Sequence, residues 1–198
     1  MDTWMKSSSI NDLDNFIAGW YVDPSLCDYL VDLFEANTQD QFAGALGHDR
    51  RIDTDQKDSI DFLLGPYEHN PMVKRYYSEM SQVLENYKSK YRYCNDHQEA
   101  WGVVEPIQIQ KYNPGQGFHA YHYERQGMSS SARHLVFMTY LNDVTDGGET
   151  EFFYQNLKVK PEQGLTIIWP SDWMFTHKGI TSLTQTKYIV TGYYSYYG

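Results

Sequence analysis

Cysteine is scarce in this chain of 198 residues: there are only Cys27 and Cys94. Two thiols so far apart make neither a disulfide framework nor a zinc ribbon. They read as buried thiols of a reducing compartment. Positive charge is also short, with 16 Lys and Arg against 26 Asp and Glu and a formal net charge of −10. Most of such a surface repels a phosphate backbone, so no nucleic-acid partner is expected. No apolar run approaches a membrane span, and the polar stretch from Met1 to Asp14 lacks the apolar core of a signal peptide. A cytoplasmic protein with no membrane partner is the expectation. Repeats, low-complexity tracts and linkers are missing too, so one domain over residues 1–198 is the simplest organisation.

What the sequence does have is aromatic side chains, with 18 Tyr among them, which tilts the expectation toward sheet. The two halves differ. Residues 1–100 read as mainly helical. Asp23-Pro24 and Asn70-Pro71 are helix starts, each an N-cap followed by proline at the first helical position. Cys27, Leu30, Val31 and Phe34 recur on one helical face, as do Tyr76, Met80, Val83, Leu84, Tyr87 and Tyr91, with Asn95-Asp96 as the stop. Gly47 to Lys57 is polar and charged and reads as a loop. Residues 103–198 read as strands: Ile107 and Ile109 alternating with Gln108 and Gln110, Leu135 to Leu141, Gly164 to Trp169 and Tyr188 to Tyr194. Asp146-Gly147-Gly148 is a turn. Many short strands with frequent turns suggest a sandwich or barrel.

Of seven histidines, context promotes two. His122 and Glu124 form an H-x-E pair, and residues i and i+2 of a strand share a face. An imidazole and a carboxylate there can reach one metal ion, and a third ligand from a distant strand completes a facial triad with open positions. His177, following the strand that ends at Trp169, is the best third ligand. The same H-x-E is also what a polar surface strand offers. His119 falls on the opposite face, His134 sits in an apolar strand as a packing or hydrogen-bonding residue, and His48, His69 and His97 lie in loop-like contexts. Lys187 opens the last strand. A buried lysine needs an anion, and near a metal it can take the distal carboxylate of a dicarboxylic acid. Thr191, four residues on and on the same face, can donate to that carboxylate.

The stretch Gln108–Tyr194 resembles the Fe(II)/2-oxoglutarate oxygenase domain of the prolyl 4-hydroxylases, especially the compact bacterial and viral forms. An ordered series carries the resemblance: Tyr112-Asn113-Pro114-Gly115, Gly117-Phe118, His122-x-Glu124, Arg133, Tyr140-Leu141-Asn142, Gly147-Gly148-Glu149-Thr150, Val159-Lys160-Pro161, Gly164, His177, Lys187 and Thr191. It implies an α+β fold with a double-stranded β-helix (jelly-roll) core over about 101–198. The N-terminal helices, about 1–100, would pack on its larger sheet. It implies His122, Glu124 and His177 as iron ligands and catalytic residues, with Tyr112, Lys187 and Thr191 binding 2-oxoglutarate. Fe(II), 2-oxoglutarate and O2 are the implied cofactors, with ascorbate as a candidate addition.

The implied reaction is hydroxylation of a prolyl residue in a peptide or protein, with release of succinate and CO2. A free amino acid or other small molecule as substrate, a non-catalytic jelly-roll binding module, and a cupin-like zinc or manganese site are the alternatives. The last leaves Lys187 unexplained. Gly47 to Lys57 and Arg125 to Ala132 are the expected substrate walls. The family usually has H-x-D; Glu124 is one methylene longer, which puts site geometry and iron affinity in question. Oligomeric state is not legible, and for a viral source the cytoplasm would be the host's.

Overall fold

The computed structural model describes residues 5–47, 50–65 and 69–197. His48 and part of the Gly47–Lys57 loop lie outside them. Two α-helices form where the caps are. In α1 (Pro24–Ala36) the Asp23 side chain accepts from the Ser25 N–H, and Leu26, Cys27, Leu30 and Phe34 are buried. In α2 (Pro71–Lys90) the Asn70 side chain accepts from the N–H groups of Met72 and Val73, and the buried stripe includes Val73, Tyr76, Met80, Val83 and Tyr87. A side-chain oxygen at the N-cap satisfies donors the first helical turn cannot. The α-helix stops at Lys90, and a 3-10 turn, Arg92–Asn95, follows.

The strands are β1 (Ala18–Tyr21), β2 (Phe42–Ala43), β3 (Lys57–Asp58), β4 (Ile60–Leu64), β5 (Trp101–Gly102), β6 (Ile107–Tyr112), β7 (Gly117–Phe118), β8 (Arg133–Tyr140), β9 (Thr150–Phe152), β10 (Leu157–Val159), β11 (Leu165–Pro170), β12 (His177–Gly179) and β13 (Lys187–Tyr196). The larger sheet runs β1-β11-β8-β13-β6-β4-β2, with β5 on the end of β13; the smaller runs β10-β9-β12, and β3 pairs with β7. All pairings are antiparallel. This is the expected jelly-roll, with the helices on the outer face of the larger sheet.

Strand alternation sorts the core into two clusters. Ile107, Ile109, Leu135, Phe137, Ile168 and Val190 face the helices and pack with Leu30, Phe34 and Tyr76. Tyr112, Val136, Met138, Tyr140, Trp169 and Ile189 face inward and pack with Phe152 and Phe175. The N-terminal half is less helical than its pattern suggests, because β1 and β4 join the larger sheet. Ile60–Leu64 is a short apolar run, and periodicity alone cannot separate a buried strand of that length from a helical turn. Lys57, expected in a loop, is buried in β3, with Nζ 2.7 Å from the Asp61 carboxylate. Among the described residues no helix is long and apolar enough to cross a membrane.

Candidate metal centre

His122 and His177 meet through the backbone. Each N–H donates to the other's carbonyl at 2.9 Å, an isolated bridge rather than the strand expected around His122. The chain pairs there for one residue and then turns away, with the Glu124 N–H donating to the Ser171 carbonyl. Both His Nε2 atoms lie 3.5 Å from Glu124 Oε1, and the three side chains can offer atoms within 4.8 Å of one another.

The donor set fits a divalent metal. Nδ1 of His122 lies 3.1 Å from the Ala120 carbonyl and Nδ1 of His177 lies 2.9 Å from the Phe175 carbonyl. A proton held on each Nδ1 by its carbonyl leaves the Nε2 lone pairs facing Glu124. Ligands at ~2.1 Å in neighbouring positions around one ion are ~3 Å apart, so little contraction is required. Burial, with His122 close by, pushes the His177 pKa down to about 4. Burial works to raise Glu124, but its hydrogen bond to His122 and the two imidazoles outweigh this and hold it at about 2. A neutral imidazole and an ionised carboxylate are the forms that ligate.

Packing fixes the rings. Phe118 stacks on His122 at 3.6 Å between centroids and 7° between planes, while Phe152 and Trp169 flank His177. The buried indole N–H of Trp169 has no hydrogen-bond partner among the described residues.

Tyr112 and Lys187 are register partners across β6 and β13. Lys187 Nζ donates to the Gly148 carbonyl at 3.1 Å and lies 4.9 Å from the centre of the Tyr112 ring. Burial pushes its pKa down to about 8, against the pull of Glu149. Gly148 has φ +80, and a Cβ there would meet Val144 Cγ1 at 2.9 Å; that left-handed turn presents its carbonyl to the lysine. The Tyr112 hydroxyl donates to Gln110 Oε1 at 2.8 Å. Thr191 shares the inward face of β13, but its hydroxyl donates to the Phe137 carbonyl at 3.3 Å. His119 bonds Thr181 and His134 the Cys94 carbonyl, so neither joins the triad. Tyr193 and Glu105 belong to the surroundings of the triad and were not singled out by pattern. Tyr193 follows Lys187, Ile189 and Thr191 at two-residue steps, and that alternation is the signal that places it inside.

Residues 107–195 match the family model of the 2OG-Fe(II) oxygenase superfamily. No curated protein matches the chain. Among solved structures it resembles the viral collagen prolyl hydroxylase of Paramecium bursaria Chlorella virus-1, determined as a 2OG complex: 18% identity, 91% of this chain and 96% of that one, TM-score 0.67. A Pseudomonas putida prolyl-4-hydroxylase superposes over 96% and 97% at 14% identity and TM-score 0.70. A prolyl hydroxylase from Trichoplax adhaerens, in complex with a hypoxia inducible factor oxygen degradation domain peptide fragment, covers 92% and 84% at 14% and 0.71. Residues 107–195, a little under half of the chain, thus carry the pattern of the 2OG-Fe(II) oxygenases, a superfamily of dioxygenases that use Fe(II), 2-oxoglutarate and O2. The chain's fold is that of the prolyl 4-hydroxylases.

Proposed function

We propose that this oxygenase hydroxylates a prolyl residue of a peptide or protein, with His122, Glu124 and His177 holding Fe(II) and Tyr112, Lys187 and Thr191 holding 2-oxoglutarate. The convergence of two Nε2 atoms on Glu124 Oε1 at 3.5 Å carries this reading. Bound iron and 2-oxoglutarate supply the oxidising chemistry. Lys187 neutralises the far carboxylate of 2-oxoglutarate; among the described residues no carboxylate forms an ion pair with it. Tyr112 shapes the wall beside that lysine, and the Thr191 hydroxyl, which donates to the Phe137 carbonyl at 3.3 Å, turns to donate to the same 2-oxoglutarate carboxylate. Phe118, Phe152 and Trp169 keep water from the imidazoles, which strengthens every charge interaction inside.

The substrate class rests on the prolyl hydroxylases whose fold this chain shares, one of them holding a peptide. An exposed rim supports a peptide rather than a closed pocket: in the Arg125–Ala132 segment, Met128 is 90% exposed. The helical and β-rich parts then work as one oxygenase domain. Two free thiols, Cys27 and Cys94, support the cytoplasm as its place of action. The test is mass spectrometry of proline-rich peptides incubated with enzyme, Fe(II) and 2-oxoglutarate. A gain of one oxygen on proline, matched by succinate, is expected. Oxidation of free amino acids with no peptide turnover would replace this reading with the small-molecule one.

A further inference from the structure

Glu124 is a longer ligand than the aspartate usual at its place, yet its Oε1 is centred between the two imidazoles. An extra methylene adds a torsion, and an unrestrained carboxylate would spread over several rotamers. Something must hold it. We propose that Arg133, fixed by Glu105, is a positioning residue that seats the Glu124 carboxylate with Oε1 toward the metal. The proposal rests on the assignment of the triad as the metal centre.

Arg133 grips Glu124 at both ends. Its Nη1 donates to the Glu124 backbone carbonyl at 3.2 Å and lies 3.7 Å from Oε2. Oε2 is thereby drawn to the guanidinium, and Oε1 is left for the imidazoles. The guanidinium cannot swing away. Its Nε and Nη2 donate to Glu105 Oε1 and Oε2 at 2.9 and 2.6 Å, a bidentate pair with strong directionality. The Tyr193 ring lies against its face at 3.7 Å. Ser195 Oγ in turn donates to Glu105 Oε1 at 3.3 Å.

A backbone irregularity puts Arg133 there. In the pairing of β13 with β8, Tyr194 is opposite Leu135, but Ser195 is opposite Arg133. His134 is the extra residue, a β-bulge that inverts the alternation beyond it. His134 turns to the helix side and bonds the Cys94 carbonyl, and Arg133 turns inward. Glu105 also offsets the guanidinium charge, which otherwise would oppose a divalent cation nearby.

The test is a four-protein cycle: the parent, Arg133→Lys, Glu124→Asp and the double variant. Each is titrated anaerobically with Co(II), following the visible d–d bands, and the metal-free melts report folding. Lysine keeps the charge and removes the fork. Arg133→Lys should weaken Co(II) binding about 10-fold or more in the Glu124 protein, as outer-shell partners of ligands do, and change the band pattern. In the Glu124→Asp background the loss should be under about 3-fold, since the shorter carboxylate is withdrawn from the guanidinium. Equal losses in both backgrounds, or no loss in either, would overturn the proposal. If Arg133→Lys does not fold, Glu105→Gln, which frees the fork and keeps the arginine, completes the same cycle. A folded parent that binds no Co(II) would sink the metal-centre assignment itself, a result distinct from a parent that binds Co(II) but shows no coupling.

Discussion

Glu124 Oε1 stands 3.5 Å from His177 Nε2 although 53 residues separate them in the chain. The longer carboxylate has not opened the site. The backbone leaves its pairing with His177 at His122, and the Glu124 N–H donates instead to the Ser171 carbonyl. With this backbone path, the glutamate side chain brings one oxygen equally close to both imidazoles. Shortening the side chain should be costly in this chain even though aspartate is the usual ligand.

Glu124→Asp is expected to weaken Fe(II) or Co(II) binding by about 10-fold while leaving the fold intact, because the carboxylate withdraws by one methylene from a place set for glutamate. Unchanged affinity in a metal titration would show that the site relaxes freely around either acid.

Lys187 sets a pH dependence whose sign follows from its buried state. Its folded pKa of about 8 lies below the ordinary 10.5. The folded protein thus binds fewer protons than the unfolded chain between those values, and the stability of the metal-free protein rises with pH across that window. Under the proposed assignment, binding of 2-oxoglutarate runs the other way, because the co-substrate's far carboxylate pairs with the charged lysine. Affinity measured calorimetrically in the presence of Mn(II) should be flat below pH 8 and fall above it. Lys187→Ala should lower affinity about 10- to 100-fold at neutral pH, the range of a charge-assisted contact. An affinity that does not change between pH 7 and 9.5 would remove Lys187 from the co-substrate site.

Gly148→Ala links the turn to the same site. A side chain at φ +80 is strained and meets Val144, at a cost of ~1–3 kcal/mol. The carbonyl that accepts from Lys187 should shift with it. The expected outcome is a lower melting temperature together with weaker 2-oxoglutarate binding; weaker stability alone would show that the carbonyl does not orient the lysine.

The Lys57–Asp61 pair is buried on both sides, with side-chain exposures of 4% and 2%. Lys57→Met leaves the Asp61 charge without its cation and should destabilise the protein by about 3–5 kcal/mol in urea unfolding. Replacing both, Lys57→Met with Asp61→Leu, should recover most of that loss. A single variant as stable as the parent would mean that water reaches Asp61.

Much of this was legible in the sequence, for physical reasons. N-cap and proline pairs mark both helices because capping is local chemistry. Alternation places Ile107 and Ile109 on one face and Tyr112 on the other. The triad was legible only in part. H-x-E is a local spacing and the place of His177 after the strand ending at Trp169 made it the best third ligand, but the backbone bridge that brings it to His122 is encoded by no spacing. The inward turn of Arg133 was out of reach, since one additional residue at His134 reverses every inference from alternation. The burial of Lys57 was equally hidden: its polar neighbours read as loop, and only the pairing of β3 with β7 and the carboxylate of Asp61 bring it inside.

The central claim, that His122, Glu124 and His177 hold iron and Lys187 holds the co-substrate, is tested most directly by anaerobic titration of metal-free protein with Fe(II) and then 2-oxoglutarate, following the weak visible charge-transfer band. A band is expected in the parent, lost in His177→Ala and needing far more 2-oxoglutarate in Lys187→Ala. A folded parent that gives no band, or a His177→Ala protein that keeps it, would mean that these residues do not hold the iron.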